Sequence, residues 1–127
     1  MRFLCLICAE KVMEQMTDAD AERHYDEYAR FTADVRASGH FVDCNRLQPP
    51  AAATTVRVRN GKVSTTDGPF AETKEQLGGY YMLEARDLNE AIQIAARIPG
   101  ARMGCVEVRP VADDARTMRA LGMEASR

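Results

Sequence analysis

Arg2-Phe-Leu-Cys-Leu-Ile-Cys8 is apolar at every position after the arginine. A strand with one wet face alternates polar and apolar residues. A strand covered on both faces does not, so this run reads as the central strand of a sheet. An arginine ahead of an apolar run also resembles the start of a secretory signal. Here the run ends at Glu10 and no small-x-small cleavage site follows. The expectation is a first strand in a cytoplasmic protein. Residues three apart in a strand point to opposite faces, so Cys5 and Cys8 cannot share one metal ion despite their C-x-x-C spacing. With Cys44 and Cys105, which also fall in or beside predicted strands, they read as small apolar residues in a reducing compartment.

Beyond this strand, Thr17 is a helix N-cap, with Asp18 and Asp20 at the positive end of the dipole. Ala21, His24, Tyr25, Tyr28, Phe31 and Val35 recur at helical spacing, and Gly39 is the stop. A second strand covers 41–47. Gln48-Pro49-Pro50 and three alanines form an extended link. Thr55–Arg59 and Lys62–Thr66 flank Asn60-Gly61, a hairpin turn in which both central residues need positive φ. Val56 and Val58 alternate with Arg57 and Arg59, which gives the hairpin one wet face. After the turn Asp67-Gly68-Pro69-Phe70 comes a strand over 77–85, where Gly78 and Gly79 signal a bulge or a close backbone approach. The second helix opens at Asp87 with Glu90 at capping-box spacing and carries the stripe Leu88, Ala91, Ile92, Ala95 and Ile98. Pro99-Gly100 ends it. The last strand covers 105–111.

The order is β-α-β, hairpin, β-α-β. This is an α+β chain with the split βαβ pattern of ferredoxin-like folds and an inserted β-hairpin. The chain has 127 residues, 46% hydrophobic and 28% charged, which is the size and composition of one globular domain. Residues 1–111 form the domain and 112–127 a polar tail, read as a loose helix ordered by a partner. With 17 basic and 19 acidic residues, net charge −2, no cationic footprint for nucleic acid is present. No apolar run approaches the roughly 18 residues of a membrane span. Leu4, Leu6, Met82 and Val106 supply more apolar surface than one helical layer can cover, so a homodimer joined through open sheet faces is expected.

The run Asp67-Gly-Pro-Phe-Ala-Glu-Thr-Lys-Glu75, followed by Leu77-Gly-Gly-Tyr-Tyr81, resembles the signature of the DGPF proteins, a branch of the YCII-related family. Arg46-Leu-Gln-Pro-Pro50, Asn89-Glu-Ala91 and Val106-Glu-Val-Arg-Pro110 extend the likeness over roughly residues 1–111. The resemblance implies a ferredoxin-like fold whose sheets pair into a dimeric α/β barrel. It also implies a regulatory setting beside ECF-type sigma factors. Some YCII-related members resemble lyases such as dehydrochlorinases of hydroxylated aromatics, with a His–Asp pair. Counting back from Gly39 puts Tyr28 at the position of that histidine. Ile98-Pro99-Gly100 stands where the aspartate is expected, so the pair is not carried over.

Three residues are catalytic candidates. Asp67 either locks its own Gly-Pro turn by accepting backbone N–H bonds or acts as a carboxylate at a cavity rim. His24 either packs or moves protons near neutral pH, and Tyr28 lies one turn away on the same face. A cavity shared by all three, with Asp67 within about 10 Å of the others, is expected if Asp67 is functional. Ligand-binding candidates are Arg46 and Arg109 for an anionic group, and Tyr81 and Phe70 for an aromatic one. Tyr80 and Tyr81 face opposite ways, so only one can join Tyr28. His40 reads as a surface or C-cap residue. No H-x-x-H, phosphate loop or G-x-S-x-G is present, so neither metal nor cofactor is expected. Two functions compete: a small-molecule binding or regulatory protein, and a cofactor-independent lyase acting on a small hydroxylated aromatic or acidic substrate. A purely structural partner protein is the third reading.

Overall fold

A computed structural model describes residues 1–10 and 15–123. Strand β1 (Arg2–Ala9) leads to helix α1 (Asp18–Ala37) and strand β2 (Phe41–Arg46). A short 3₁₀ turn (Pro50–Ala52) precedes the hairpin β3 (Thr54–Arg59) and β4 (Lys62–Asp67). Strand β5 (Gln76–Glu84), helix α2 (Leu88–Ala95), a second 3₁₀ turn (Pro99–Arg102) and strand β6 (Gly104–Pro110) follow. A short helix α3 (Ala115–Ala120) comes last among the described residues. The main sheet has the order β2-β5-β1-β6 and every neighbouring pair is antiparallel. This is the α+β, ferredoxin-like arrangement, with β1 in the interior of the sheet as its unbroken apolar run demands.

The helices cover one face of the sheet. Phe31 and Val35 of α1 and Ile94, Ala95 and Ile98 in and after α2 meet Cys5, Tyr81 and Leu83 of the sheet. Phe3, Ala85 and Ala91 form a smaller cluster beside it. Thr17 caps α1 by accepting the Asp20 N–H at 3.1 Å, and Gly39 takes φ 82° to end it. The α2 stripe is rotated from the one expected. Ala91, Ile94, Ala95 and Ile98 are buried, while Leu88 and Ile92 are about half exposed. Ile92 and Ile94 are equally apolar, and only the neighbouring sheet decides which of them turns inward. Val106 likewise belongs to the helix-covered face, because it pairs with Ile7 and packs on the main cluster. Leu4, Leu6 and Met82 alternate onto the far face.

Asn60 and Gly61 have φ 53° and 75° between Arg59 and Lys62, which face each other across the turn. This is the hairpin predicted from the Asn-Gly pair. Its strands pair only with one another. Val56, Val58 and Val63 are 61%, 56% and 70% exposed, so the valine face is wet and Arg57 on the other face is half-buried. The tail forms α3 within the single chain, capped by Asp114, whose carboxylate accepts the Thr117 N–H at 3.0 Å. Residues 124–127 of that tail lie outside the described residues.

Candidate functional site

A cavity of about 370 Å³ opens between the N-terminal half of α1 and the sheet. Its wall comes from four places in the chain. His24, Tyr25 and Tyr28 descend from α1. Ile7, Cys44 and Tyr81 rise from the sheet. The link after β2, Leu47 to Pro50, closes one side, and Gly100 with Met103 closes another. Space exists here because β5 is glycine-rich where it passes. Ile7 pairs with Gly79 and Cys8 with Leu77, so Gly78 is an extra residue, a β-bulge. A Cβ on Gly79 would sit 2.9 Å from the Asn45 carbonyl oxygen. The two glycines thus provide both the bulge and the close approach that their sequence signals.

The tyrosines are held firmly. Their rings lie parallel with centroids 6.4 Å apart, and the His24 ring meets Tyr28 edge-on at 4.9 Å. The Thr32 hydroxyl donates to the Tyr28 carbonyl at 2.8 Å and contacts the Tyr81 hydroxyl at 2.7 Å. A hydroxyl has one proton, so in the second contact Tyr81 must be the donor. The Tyr28 hydroxyl accepts the Gly100 N–H at 3.1 Å. Its own proton finds no acceptor among the described residues, which leaves Tyr28 as the phenol with a hydrogen bond to offer the cavity. Burial pushes the pKa of Tyr28 up, opposed by the Gly100 N–H, with Tyr81 raising and Arg102 lowering it. Tyr28 is therefore a neutral donor at physiological pH.

His24 is buried. Desolvation lowers its pKa first of all; Glu27 pulls it up and Arg102 pushes it down. Glu27 and Arg102 are themselves an ion pair joining α1 to the turn that carries Gly100. His24 is accordingly a neutral imidazole against a ring face, able to accept a proton or a hydrogen bond. At the rim, the Arg46 guanidinium lies 5.4 Å above the Tyr25 ring centre, exposed and available to an anion.

The lowered His24 pKa makes a pH prediction. The unfolded chain takes up a proton near 6.5 and the folded chain only below that, so stability is full above pH 6.5 and declines as pH falls beneath it. A His24→Gln variant should show a flatter decline in urea midpoint between pH 6.5 and 5 than the wild type. Identical slopes would show that His24 is not the group responsible.

Of the candidates read from sequence, His24, Tyr28, Tyr81 and Arg46 line this one cavity. Asp67, Phe70 and Arg109 are not part of its wall. Asp67 ends β4 on the self-paired hairpin and is exposed, and Phe70 is 82% exposed. Asp67 does not join His24 and Tyr28 in lining this cavity; it sits on the hairpin, which builds its own two-stranded sheet. The turn after Asp67 is held by backbone instead: Gly68 N–H donates to Ala53 O at 2.7 Å, and the Thr55 hydroxyl donates to Gly68 O at 2.8 Å. Arg109 is on the uncovered face and pairs with Glu107 at 2.6 Å. His40 bridges helix ends, with Ser38 on Nδ1 at 2.7 Å and Glu90 on Nε2 at 3.1 Å.

Sequence reasoning missed Cys44, Pro49-Pro50, Gly100 and Met103 as wall residues. Pro99-Gly100 reads only as a helix stop. Its second role depends on Tyr28, 72 residues away in sequence. All four cysteines are free. Cys5 is in the core and Cys8 on the far face, where it pairs across strands with the exposed Cys105. No group of three metal-ligating side chains converges among the described residues, and no described helix is long and apolar enough to cross a membrane.

The family model for the YCII-related domain matches residues 1–114. An uncharacterized protein of Rhizobium meliloti (strain 1021) is 46% identical over 105 residues, covering 81% of this chain and 85% of that protein.

Proposed function

Since the chain belongs to the YCII-related family, whose domain spans residues 1–114, we propose that it binds a small acidic aromatic molecule in the cavity beneath α1. The observation that carries this reading is the cavity itself. Its volume of about 370 Å³ falls in the range of small-molecule sites. Its lining is mainly apolar, with Tyr28 and Tyr81 presenting ring faces. Its polar groups include one free phenol proton on Tyr28, one neutral imidazole on His24 and one cation at the rim on Arg46, with the amides of Gln48 and Gln76 and the carboxylate of Glu10, which Lys74 pairs at 3.3 Å. A ring-bearing carboxylate matches that set, with the ring inside and the charge at Arg46. A regulatory role beside an ECF-type sigma factor belongs to the same proposal, supported by the DGPF resemblance. So does a cytoplasmic location, with which the four free cysteines agree.

Titration with benzoate and salicylate, and with the uncharged benzamide as comparison, tests the reading by ligand-observed NMR. The acids should bind at the tyrosine pair. Arg46→Gln should weaken them about fivefold, the value of one exposed charge pair of about 1 kcal/mol, and leave benzamide unchanged. Equal losses for acid and amide would remove Arg46 from the site.

The lyase reading draws on one feature, the neutral imidazole of His24 beside a protonated phenol, which can serve as base and acid. Against it, Tyr28 and the stretch Ile98-Pro99-Gly100 stand where the resemblance gives a His–Asp pair. Gly100 N–H donates to the Tyr28 hydroxyl at 3.1 Å, and a side chain on residue 100 has no room beside Tyr28, since even a Cβ would lie 2.6 Å from the hydroxyl. Release of chloride from small chlorinated hydroxylated aromatics, lost in His24→Gln, would favour the lyase over the binding protein.

A further inference from the structure

We propose that Cys8 and Cys105 are a thiol pair that closes into a disulfide by exchange with a low-molecular-weight disulfide such as glutathione disulfide, reopens with the matching thiol, and is held open by Glu75. The inference goes beyond ligand binding and does not depend on it. It starts from the strand register. Cys8 of β1 stands directly opposite Cys105 of β6, and residues opposite each other in an antiparallel ladder share a face. Here that is the face away from the helices. Val111 N–H donates to Arg2 O at 2.9 Å, so Arg2 and Val111 are a hydrogen-bonded pair. The register from there is unbroken. Hydrogen-bonded pairs alternate along such a ladder, which makes Cys8–Cys105 one of them. The α-carbons of such a pair are about 5.5 Å apart, inside the roughly 4.4–6.8 Å that a disulfide spans.

Two further observations agree. A Cβ on Gly104 would stand 2.1 Å from the Cys8 carbonyl oxygen, so glycine at 104 lets β6 close tightly on β1 right beside the two sulfurs. Both thiols are also free and within reach of solvent: Cys105 is exposed and Cys8 half-buried. Cys5 is buried in the core on the other face, and Cys44 lines the cavity, so neither competes for Cys8.

The Cys105 thiol donates to the Glu75 carboxylate at 2.9 Å. That contact first of all, and burial after it, pushes the Cys105 pKa up to about 11. The thiolate is the attacking species, so Glu75 slows the exchange at neutral pH. In the first step the Cys105 thiolate attacks one sulfur of glutathione disulfide. The S–S bond breaks, one glutathione leaves and takes up a proton, and a mixed disulfide remains on Cys105. Cys8 then gives up its proton and attacks the Cys105 sulfur, and the second glutathione leaves with that proton. Two protein thiols lose two electrons, and glutathione disulfide becomes two glutathione thiols. The new bond ties the edge strand β6 to the interior strand β1 and links residues near the two ends of the chain, which restricts the unfolded state. A disulfide this close to solvent is among the labile ones, open to reduction.

Thiol titration in denaturant, after the full chain is incubated with excess oxidised glutathione at pH 8, tests the proposal. The four free thiols should fall to two, with no glutathione retained. The product should run as a single chain on a non-reducing gel and unfold at a higher urea midpoint than the reduced protein. Excess reduced glutathione should restore all four. Cys8→Ser should stop at the first step and keep one glutathione per chain. Glu75→Gln should speed closure at pH 7 at least threefold. Four thiols surviving the oxidant, a disulfide between chains, or loss of two thiols in Cys8→Ser overturns the pair. An unchanged rate in Glu75→Gln overturns the role given to Glu75.

Discussion

Replacing Gly104 by alanine should lower the stability of this protein by about 3 kcal/mol, at the upper end of what overpacking costs. Gly104 opens β6 opposite Ala9. Its φ is not positive, so alanine is not opposed by backbone conformation and would ordinarily stabilise a strand. Space decides the sign here. A Cβ would stand 2.1 Å from the Cys8 carbonyl oxygen and 2.8 Å from the Ala9 Cα. Both are backbone atoms, which cannot rotate away. Strands β1 and β6 must part at this end, breaking ladder hydrogen bonds at the pairs Cys8–Cys105 and Ala9–Gly104. For a domain of this size the loss corresponds to roughly 10 °C in melting temperature. Urea unfolding monitored by circular dichroism provides the check, with the midpoint moving and the slope constant. A change below about 0.5 kcal/mol, the range of neutral surface substitutions, would mean that the strands are not so closely apposed.

Replacing Gly100 by alanine should have a smaller effect on stability, about 2 kcal/mol, but a larger one on the cavity. The new Cβ would meet two side chains, the Tyr28 hydroxyl at 2.6 Å and Ile7 Cγ2 at 2.7 Å. Side chains can move, so the strain is relieved by swinging Tyr28 off its seat. That movement leaves the Gly100 N–H without its acceptor and takes away the phenol that the cavity offers. Benzoate affinity should fall at least tenfold. Tyr28→Phe separates the two effects, because it removes the hydroxyl without the clash: stability should fall by about 1 kcal/mol, one hydrogen bond. If Gly100→Ala binds benzoate as the wild type does, Tyr28 is not a determinant of the site.

These glycines illustrate where sequence reading works and where it stops. Asn60-Gly61 and Gly78-Gly79 are legible because their effects are local: a turn with two positive φ values, and a bulge in the strand that contains it. The central placement of β1 is legible because its apolar run is unbroken from Phe3 to Cys8, although in the single chain only the face of Phe3 and Cys5 is buried. Gly100 and Gly104 are different. Their neighbours are Tyr28 and Cys8, distant in sequence, and nothing within reach of the chain's local pattern names them. The hairpin valines show a related limit. Alternation announces two faces without saying which is wet, and the structure turns the valines outward. Asp67 stands beside Gly-Pro in a conspicuous signature, yet adjacency along the chain places it on the hairpin and outside the cavity wall. Ile92 and Ile94 differ by one helical half-turn that only the sheet can choose between.

The position of β1 has one more consequence, for how the molecule opens. A strand bonded on both sides, to β5 and to β6, exposes its amides only when neighbouring strands are lost, so amides at Phe3 to Ile7 should exchange with solvent at the rate of global unfolding. In the segment Leu47 to Pro50 only Leu47 and Gln48 carry amides; Leu47 N–H is bonded on one side alone, to Gly78 O at 2.8 Å, and both should exchange by fluctuations of lower free energy. The cavity is built across that boundary, with Ile7 and Tyr81 in its slow floor and Leu47 and Gln48 in its fast rim. A ligand then enters through motions of the rim alone, on the timescale of loops, and leaves the slow-exchanging floor undisturbed.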